Sequence, residues 1–238
     1  MARIVGIVVI LLSTCNPFSK DTHVIEERLN LSHKDIAELP DSCLSKKYRK
    51  IDISYNRFEV LPVGWLEKQD VLEDFYGPFN NFKKWPIVSL ETQKLSKIDL
   101  QANQIDEIPT DISLLHSLKT LSLKENKISF LPDEIWLLDS LEDFNVSFNY
   151  IREVHPLRKM SSVHEIDLQS NEIVTVSKDL FLFPNLRYLN LADNKISKLP
   201  FDTIPRTFDA LILAGNPISE EERSRIMTHN PEAYFIVW

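Results

Sequence analysis

The stretch Leu118-Lys119-Thr120-Leu121-Ser122-Leu123-Lys124-Glu125-Asn126-Lys127-Ile128-Ser129-Phe130-Leu131-Pro132 is the unit from which the chain is built. Counting Leu118 as position 1, apolar residues stand at 1, 4, 6, 11 and 14, with Asn at 9 and Pro at 15. The unit returns 23 residues upstream as Leu95, Ile98, Leu100, Asn103, Ile105, Ile108 and Pro109. It returns 23 residues downstream as Leu141, Phe144, Val146, Asn149, Ile151 and Val154. Working outward, copies one to three are centred on Leu29 and Leu31, on Ile51 and Ile53, and on Phe75 and Gly77. Copies seven to nine are centred on Ile166 and Leu168, on Leu189 and Leu191, and on Leu211 and Leu213, which makes nine in all.

Each slot has its own physical reason. Apolar residues at 4 and 6 around a polar residue at 5 have the period of two of a short strand with one buried face. Strands stacked in parallel about 4.8 Å apart would run roughly 40 Å from first to ninth. An amide at 9 in eight copies (Asn56, Asn80, Asn103, Asn126, Asn149, Asn171, Asn194 and Asn216) predicts a ladder bonding the backbone of its own turn and of the next. A buried amide left unbonded costs about 1–3 kcal/mol. Proline at 15 fits an outer surface where no ladder N–H is needed. Segments such as Thr110–Leu115 and Asp133–Leu138 are expected as short helical or 3₁₀ turns. The first copy, with Lys34 in the Asn slot, is atypical, as a terminal repeat is expected to be.

A period of 20–29 residues with this content is the signature of leucine-rich repeats. The chain resembles the 23-residue type that carries I-x-x-L-P after the strand, over all but its two ends. The resemblance implies an α/β fold: a curved right-handed solenoid, with parallel strands on the concave face and short helical or 3₁₀ turns on the convex face. The expected organisation is a signal and tether over residues 1–25, nine repeats over 26–218 and a C-terminal cap over 219–238. In the cap, Ser219-Glu220-Glu221-Glu222 opens a helix to about Thr228, and an apolar tail, 233–238, covers the end of the core. The chain is expected to be complete, with no second domain.

The net charge of −8 speaks against nucleic acid as a partner. There are two cysteines, Cys15 and Cys43, and a disulfide between them stays open. Secreted animal and plant members of the resembled family carry clusters of paired cysteines at their ends, a pattern absent here. The run Ile4–Leu12 after Met1-Ala2-Arg3 is too short to cross a bilayer permanently and fits the middle of a secretory signal. Leu12-Ser13-Thr14-Cys15 resembles a bacterial lipobox, with Thr14 departing from the usual small residue. The expectation is an exported protein of the bacterial cell envelope, anchored in the membrane by lipid on Cys15. An ordinary secretory signal, or an apolar segment capping the first repeat of a cytoplasmic protein, are the alternatives. The sequons Asn30-Leu31-Ser32 and Asn145-Val146-Ser147 would put glycans on the inner wall, which disfavours a eukaryotic secretory route.

No catalytic pattern is apparent. The histidines His23, His33, His116, His155, His164 and His229 have no metal-ligand spacing, and there is no Gly-rich phosphate loop or G-x-S-x-G. Neither enzyme activity nor a cofactor is expected. A long continuous wall suits binding instead. Rows at positions 5, 7 and 8 line it, and the N-terminal third carries the aromatics Tyr55, Tyr76 and Phe79 beside Lys50, Asp52 and Arg57. With Asp99, Gln101, Lys124, Asn145 and Phe148 these are the candidate partner-binding residues, since aromatic and arginine anchors dominate interface energetics. The same aromatics are open to a packing role. The expected partner is a protein, with a polysaccharide second, and the expected state is a monomer. An intracellular scaffold similar to the Ras-group leucine-rich repeat proteins is the alternative. The irregular Tyr76-Gly77-Pro78-Phe79 predicts either a local bend or an inward-turned Phe79, because Gly77 leaves a core slot empty and Pro78 cannot donate to a ladder.

Overall fold

The structure is a computed structural model that describes residues 24–87, 94–200, 204–205 and 207–238. Cys15 and the rest of the signal and tether expected over 1–25 lie outside the described residues, apart from Val24 and Ile25. The strands are β1 (Ile25–Asn30), β2 (Lys47–Asp52), β3 (Asp74–Tyr76), β4 (Lys97–Asp99), β5 (Thr120–Ser122), β6 (Asp143–Asn145), β7 (Glu153–Val154), β8 (Glu165–Asp167), β9 (Thr175–Val176), β10 (Tyr188–Asn190), β11 (Ala210–Ile212) and β12 (Ile236–Val237). Ten of them form one parallel sheet in the order β1-β2-β3-β4-β5-β6-β8-β10-β11-β12. Register follows the sequence repeat without a slip: position 4 pairs with position 4, as Phe75 with Ile98 and Ile98 with Leu121.

Positions 4 and 6 point inward and form a continuous core, in which Ile98, Leu100, Leu121, Leu123, Ile166 and Leu168 are fully buried. The chain returns along the outside through 3₁₀ turns, among them Thr110–Leu114, Asp133–Leu137 and Lys178–Leu182, the first two entered directly from Pro109 and Pro132. The amide ladder is formed. Asn126 donates to the carbonyls of Leu123 and Lys124 in its own coil and of Leu100 in the preceding one, at 3.0, 3.3 and 3.0 Å. Its Oδ1 accepts the backbone N–H of Ile105 at 2.9 Å. The other seven asparagines repeat the pattern with the same positions. At the atypical first coil Asn56 accepts the N–H of Lys34 as well as that of Ile36.

Where two neighbouring repeats lack proline at 15, the outer backbone pairs as well. His155 and Ser177 occupy those slots, β7 and β9 bridge there, and Ser177 N–H donates to the Val154 carbonyl at 2.9 Å. A proline at 177 has no hydrogen to donate.

The C-terminal helix α1 runs Glu220–His229, and the Ser219 hydroxyl accepts the Glu222 N–H. The apolar tail does more than cover the core: β12 pairs with β11 and adds one strand to the sheet, while the Arg223 guanidinium lies 5.6 Å over the Trp238 ring. Cys43 is a buried free thiol among the described residues, and Cys15, the other half of the disulfide left open above, lies outside them. No helix among the described residues is long and apolar enough to cross a membrane.

Candidate functional site

The inner wall is built by the side chains of each strand that do not enter the core. Position 5 turns out to have a structural task. Asn30, Asp52, Asp99, Asn145, Asp167 and Asn190 each accept, through a side-chain oxygen, the backbone N–H two residues on, at 3.0–3.1 Å. Where position 7 is serine, as in Ser32, Ser54 and Ser147, its hydroxyl donates to the same oxygen. The two sequons are thus turn-forming pairs. This Asx turn closes the strand's exit, and the recurring Asx-x-Ser was its sequence signal.

Where position 5 is Asn or Asp, the position 7 N–H therefore bonds within its own coil and not across the sheet. Ladder donors are positions 6 and 8, as in Ile53 N–H to Tyr76 O and Tyr55 N–H to Pro78 O. This corrects the expected bend at Tyr76-Gly77-Pro78-Phe79. Pro78 replaces a donor that the ladder does not use, and Tyr76 replaces the acceptor that would have received it. Gly77 still bonds to Asp99 O and Phe79 to Gln101 O, so the strand keeps its register. The Gly77 slot is filled by neighbours: a Cβ there would stand 3.2–3.4 Å from Phe75, Leu100 and Phe82. Phe79 remains outside and partly exposed.

Position 8 holds a feature that sequence reasoning missed. His33, Tyr55, Phe79, Ala102, Glu125, Phe148, Ser170 and Asp193 all adopt φ between 52° and 57°, as does Gly215 at 75°. Left-handed backbone is rare for bulky side chains, and among these residues only glycine signals it. The consequence is geometric. Side chains leave the wall's edge in one direction, so successive rings lie flat on each other: His33 on Tyr55 with centroids 4.2 Å apart and planes 13° apart, Tyr55 on Phe79 at 4.4 Å and 10°. Tyr55 and Phe79 are 46% and 39% exposed, so this column offers its edges to solvent, and Phe148, three coils beyond Phe79 in the same row, is exposed as well.

The candidate residues divide accordingly. Tyr55 and Phe79 are brought into the column. Tyr76 is not; it lies on the wall between Asp52 and Asp99, with Lys97 Nζ 5.3 Å over its ring. Lys50 pairs with Asp74 at 2.9 Å, and Asp52 with Arg28 at 2.8 Å. Arg57 lies beyond the asparagine on the rim, holding the side chain and carbonyl of Asp35. Lys124 lies 5.2 Å over Phe148 and 3.5 Å from Glu125. Gln101 and Asn145 face the wall beside their own turns.

Position 3, from which the sequence pattern singles out only Lys50, also lines the wall. It carries Arg28, Lys50, Asp74, Lys97, Thr120, Asp143, Glu165 and Tyr188. The N-terminal half is charge-compensated by the pairs just described. The later half presents Asp143, Glu165 and Asp167, for which no ion pair forms among the described residues, with Lys124 acting on Asp167. Burial raises the Asp99 and Asp167 carboxyl pKa values above the ordinary range, opposed by the N–H groups of Gln101 and Gln169. Glu165 is raised by burial and then by Asp143 and Asp167.

On the outer side, Val60 and Val63 stand exposed beside an apolar groove of about 470 Å³ lined by Leu61, Pro62, Phe82 and Trp85. Among the described residues no group of three or more His, Cys, Asp or Glu side chains is placed to hold a metal ion.

A parallel one-coil-per-strand stack with an asparagine spine and a free inner wall defines a repeat solenoid. The leucine rich repeat family model matches residues 93–151 and 161–218. A leucine-rich repeat protein of Leptospira interrogans superposes with a TM-score of 0.74 at 24% identity, covering 89% of this chain and 60% of its own. The leucine-rich repeat domain of APL1B superposes with a TM-score of 0.68 at 20% identity, covering 84% and 61%. The chain is a leucine-rich repeat protein, and it spans about three fifths of the length of these solved chains. Leucine-rich repeat domains commonly serve as non-catalytic modules that bind protein partners.

Proposed function

We propose that this chain binds a protein partner along its concave wall, with the N-terminal third as the energetic centre. The observation that carries the reading is the exposed ring column of Tyr55 and Phe79 beside Tyr76. Rings held rigidly by neighbouring rings and by a fixed backbone lose little conformational entropy on binding, which is how aromatic anchors come to dominate interfaces. Neither Tyr55 nor Phe79 is needed to fill the core, which Phe75 and Phe82 already close.

The test is the double substitution Tyr76→Ala with Phe79→Ala. It should weaken partner capture from the native cell by about tenfold or more, since hot-spot rings carry 2 kcal/mol or above. Its thermal unfolding should stay within about 4 °C of the parent. Loss of fold would instead place the rings in the core.

We further propose export and tethering to a bacterial envelope through lipid on Cys15, supported by Ile4–Leu12 and Leu12-Ser13-Thr14-Cys15. Mass spectrometry of the mature N-terminus decides it. A diacylated fragment starting at Cys15 is expected, and an intact Met1 would favour an intracellular scaffold.

A further inference from the structure

The ring column stops one coil too soon. Position 8 of the next coil is Ala102, whose N–H bonds to Lys124 O in the same ladder that carries Phe79. Beyond Ala102 the same position is Glu125, and beyond that Phe148. Phe79 and Glu125 are therefore two strand spacings apart, about 9.6 Å, with only a methyl group between them. The column's own step is 4.2–4.4 Å. The gap thus has room for one further planar group lying flat on Phe79, with a carboxylate on its far side.

We propose that this gap is a slot for an arginine side chain of the protein partner, its guanidinium stacked on the outer face of Phe79 and paired with Glu125. The slot rests on the reading of the wall as a binding surface and gives its chemistry. Three observations point to a cation. The chain itself places cations over rings on this wall twice, Lys97 over Tyr76 at 5.3 Å and Lys124 over Phe148 at 5.2 Å. Among the described residues, no cation or ring of the chain covers the outer face of Phe79. Lys124 lies near Oε1 of Glu125 at 3.5 Å, which leaves the second oxygen to accept. A flat guanidinium can stack and pair at once, whereas an ammonium is a strongly hydrated point charge. The excess of carboxylates at Asp143, Glu165 and Asp167 further along the wall favours a basic partner in the same sense.

The experiment uses the full chain labelled at alanine methyl groups, with the Ala102 methyl as the floor of the slot. The probes are the acetylated and amidated tripeptides of arginine and of lysine. The arginine tripeptide should shift the Ala102 resonance saturably and bind about fivefold or more tighter than the lysine one. Phe79→Leu should weaken it about tenfold. Ala102→Phe should abolish it by completing the column. That variant is expected to fold, because Phe79 and Phe148 already occupy the equivalent position with φ of 55° and 57°. Glu125→Gln, which leaves the backbone undisturbed, should weaken arginine binding and narrow its advantage over lysine. No shift at Ala102, equal binding of the two tripeptides, or undiminished binding to Ala102→Phe would each overturn the slot. If the tripeptide fails while Tyr76→Ala with Phe79→Ala still loses partner capture, the slot is wrong and the wall stands. If the tripeptide binds as described and that double variant captures normally, the wall reading is what fails.

Discussion

Asn126 in the fifth coil accepts the backbone N–H of Ile105 in the fourth at 2.9 Å. Through this bond one side chain ties the core-facing turn of one repeat to the next, and eight such ties run the length of the molecule. Asn126→Ala would leave the Ile105 N–H and several carbonyls without their partner inside the core. It should destabilise the chain by about 2–4 kcal/mol. Urea unfolding measures this, and a midpoint unchanged from the parent would show that the spine is dispensable.

Gly77 and Pro78 are adjacent and should respond in opposite ways. A methyl at 77 meets Phe75, Leu100 and Phe82 at 3.2–3.4 Å, so Gly77→Ala should cost about 1–3 kcal/mol by overpacking. Pro78→Ala restores an N–H that the ladder does not use, so its effect should stay within about 1 kcal/mol, arising in the unfolded chain. Thermal unfolding of the two variants side by side checks the order; a larger loss for Pro78→Ala would contradict it.

Much of this was legible beforehand, and the part that was not has a physical reason. The spacing of Leu118, Leu121, Leu123 and Asn126 dictated strand, core face and amide ladder, because each of those slots accepts few residue types. Position 8 accepts Tyr55, Phe79, Ala102, Glu125 and Asp193 alike. The constraint there falls on the backbone, held by ladder bonds on either side, so side-chain identity carries no trace of it. The task of Asp99 in closing its own turn was likewise hidden, since Gln101 breaks the Asx-x-Ser pattern and an aspartate on a wall suits a binding role equally well.

Asp99 gives a pH-dependent prediction. Its folded pKa is raised, chiefly by burial, so the folded chain binds its proton more tightly than the unfolded chain does. Its contribution to stability accordingly falls as pH rises from the ordinary carboxylate range through the folded pKa, and at neutral pH the charge is a net cost. Asp99→Asn keeps an oxygen for the Gln101 N–H, as Asn145 does for Ser147. The variant should be the more stable at pH 7, with its advantage vanishing below the ordinary carboxylate pKa. Urea unfolding at several pH values reads this directly, and a variant destabilised at pH 7 would contradict it.

Tyr55 is the middle ring of the column, 4.2 Å from His33 and 4.4 Å from Phe79. Tyr55→Ala should weaken partner capture although position 55 need not touch the partner, because Phe79 loses the ring that holds it flat. Tyr55→Phe should restore capture. Equal losses in both would trace the effect to the hydroxyl and not to the stack.

The most direct test of the binding wall is site-specific photo-crosslinking in the native cell. A benzoyl-phenylalanine is placed at Phe79 on the inner rim in one strain and at Val63 on the outer side in another. A partner adduct is expected from position 79 and none from position 63. An adduct from 63 alone would move the interface to the outer groove and contradict that expectation.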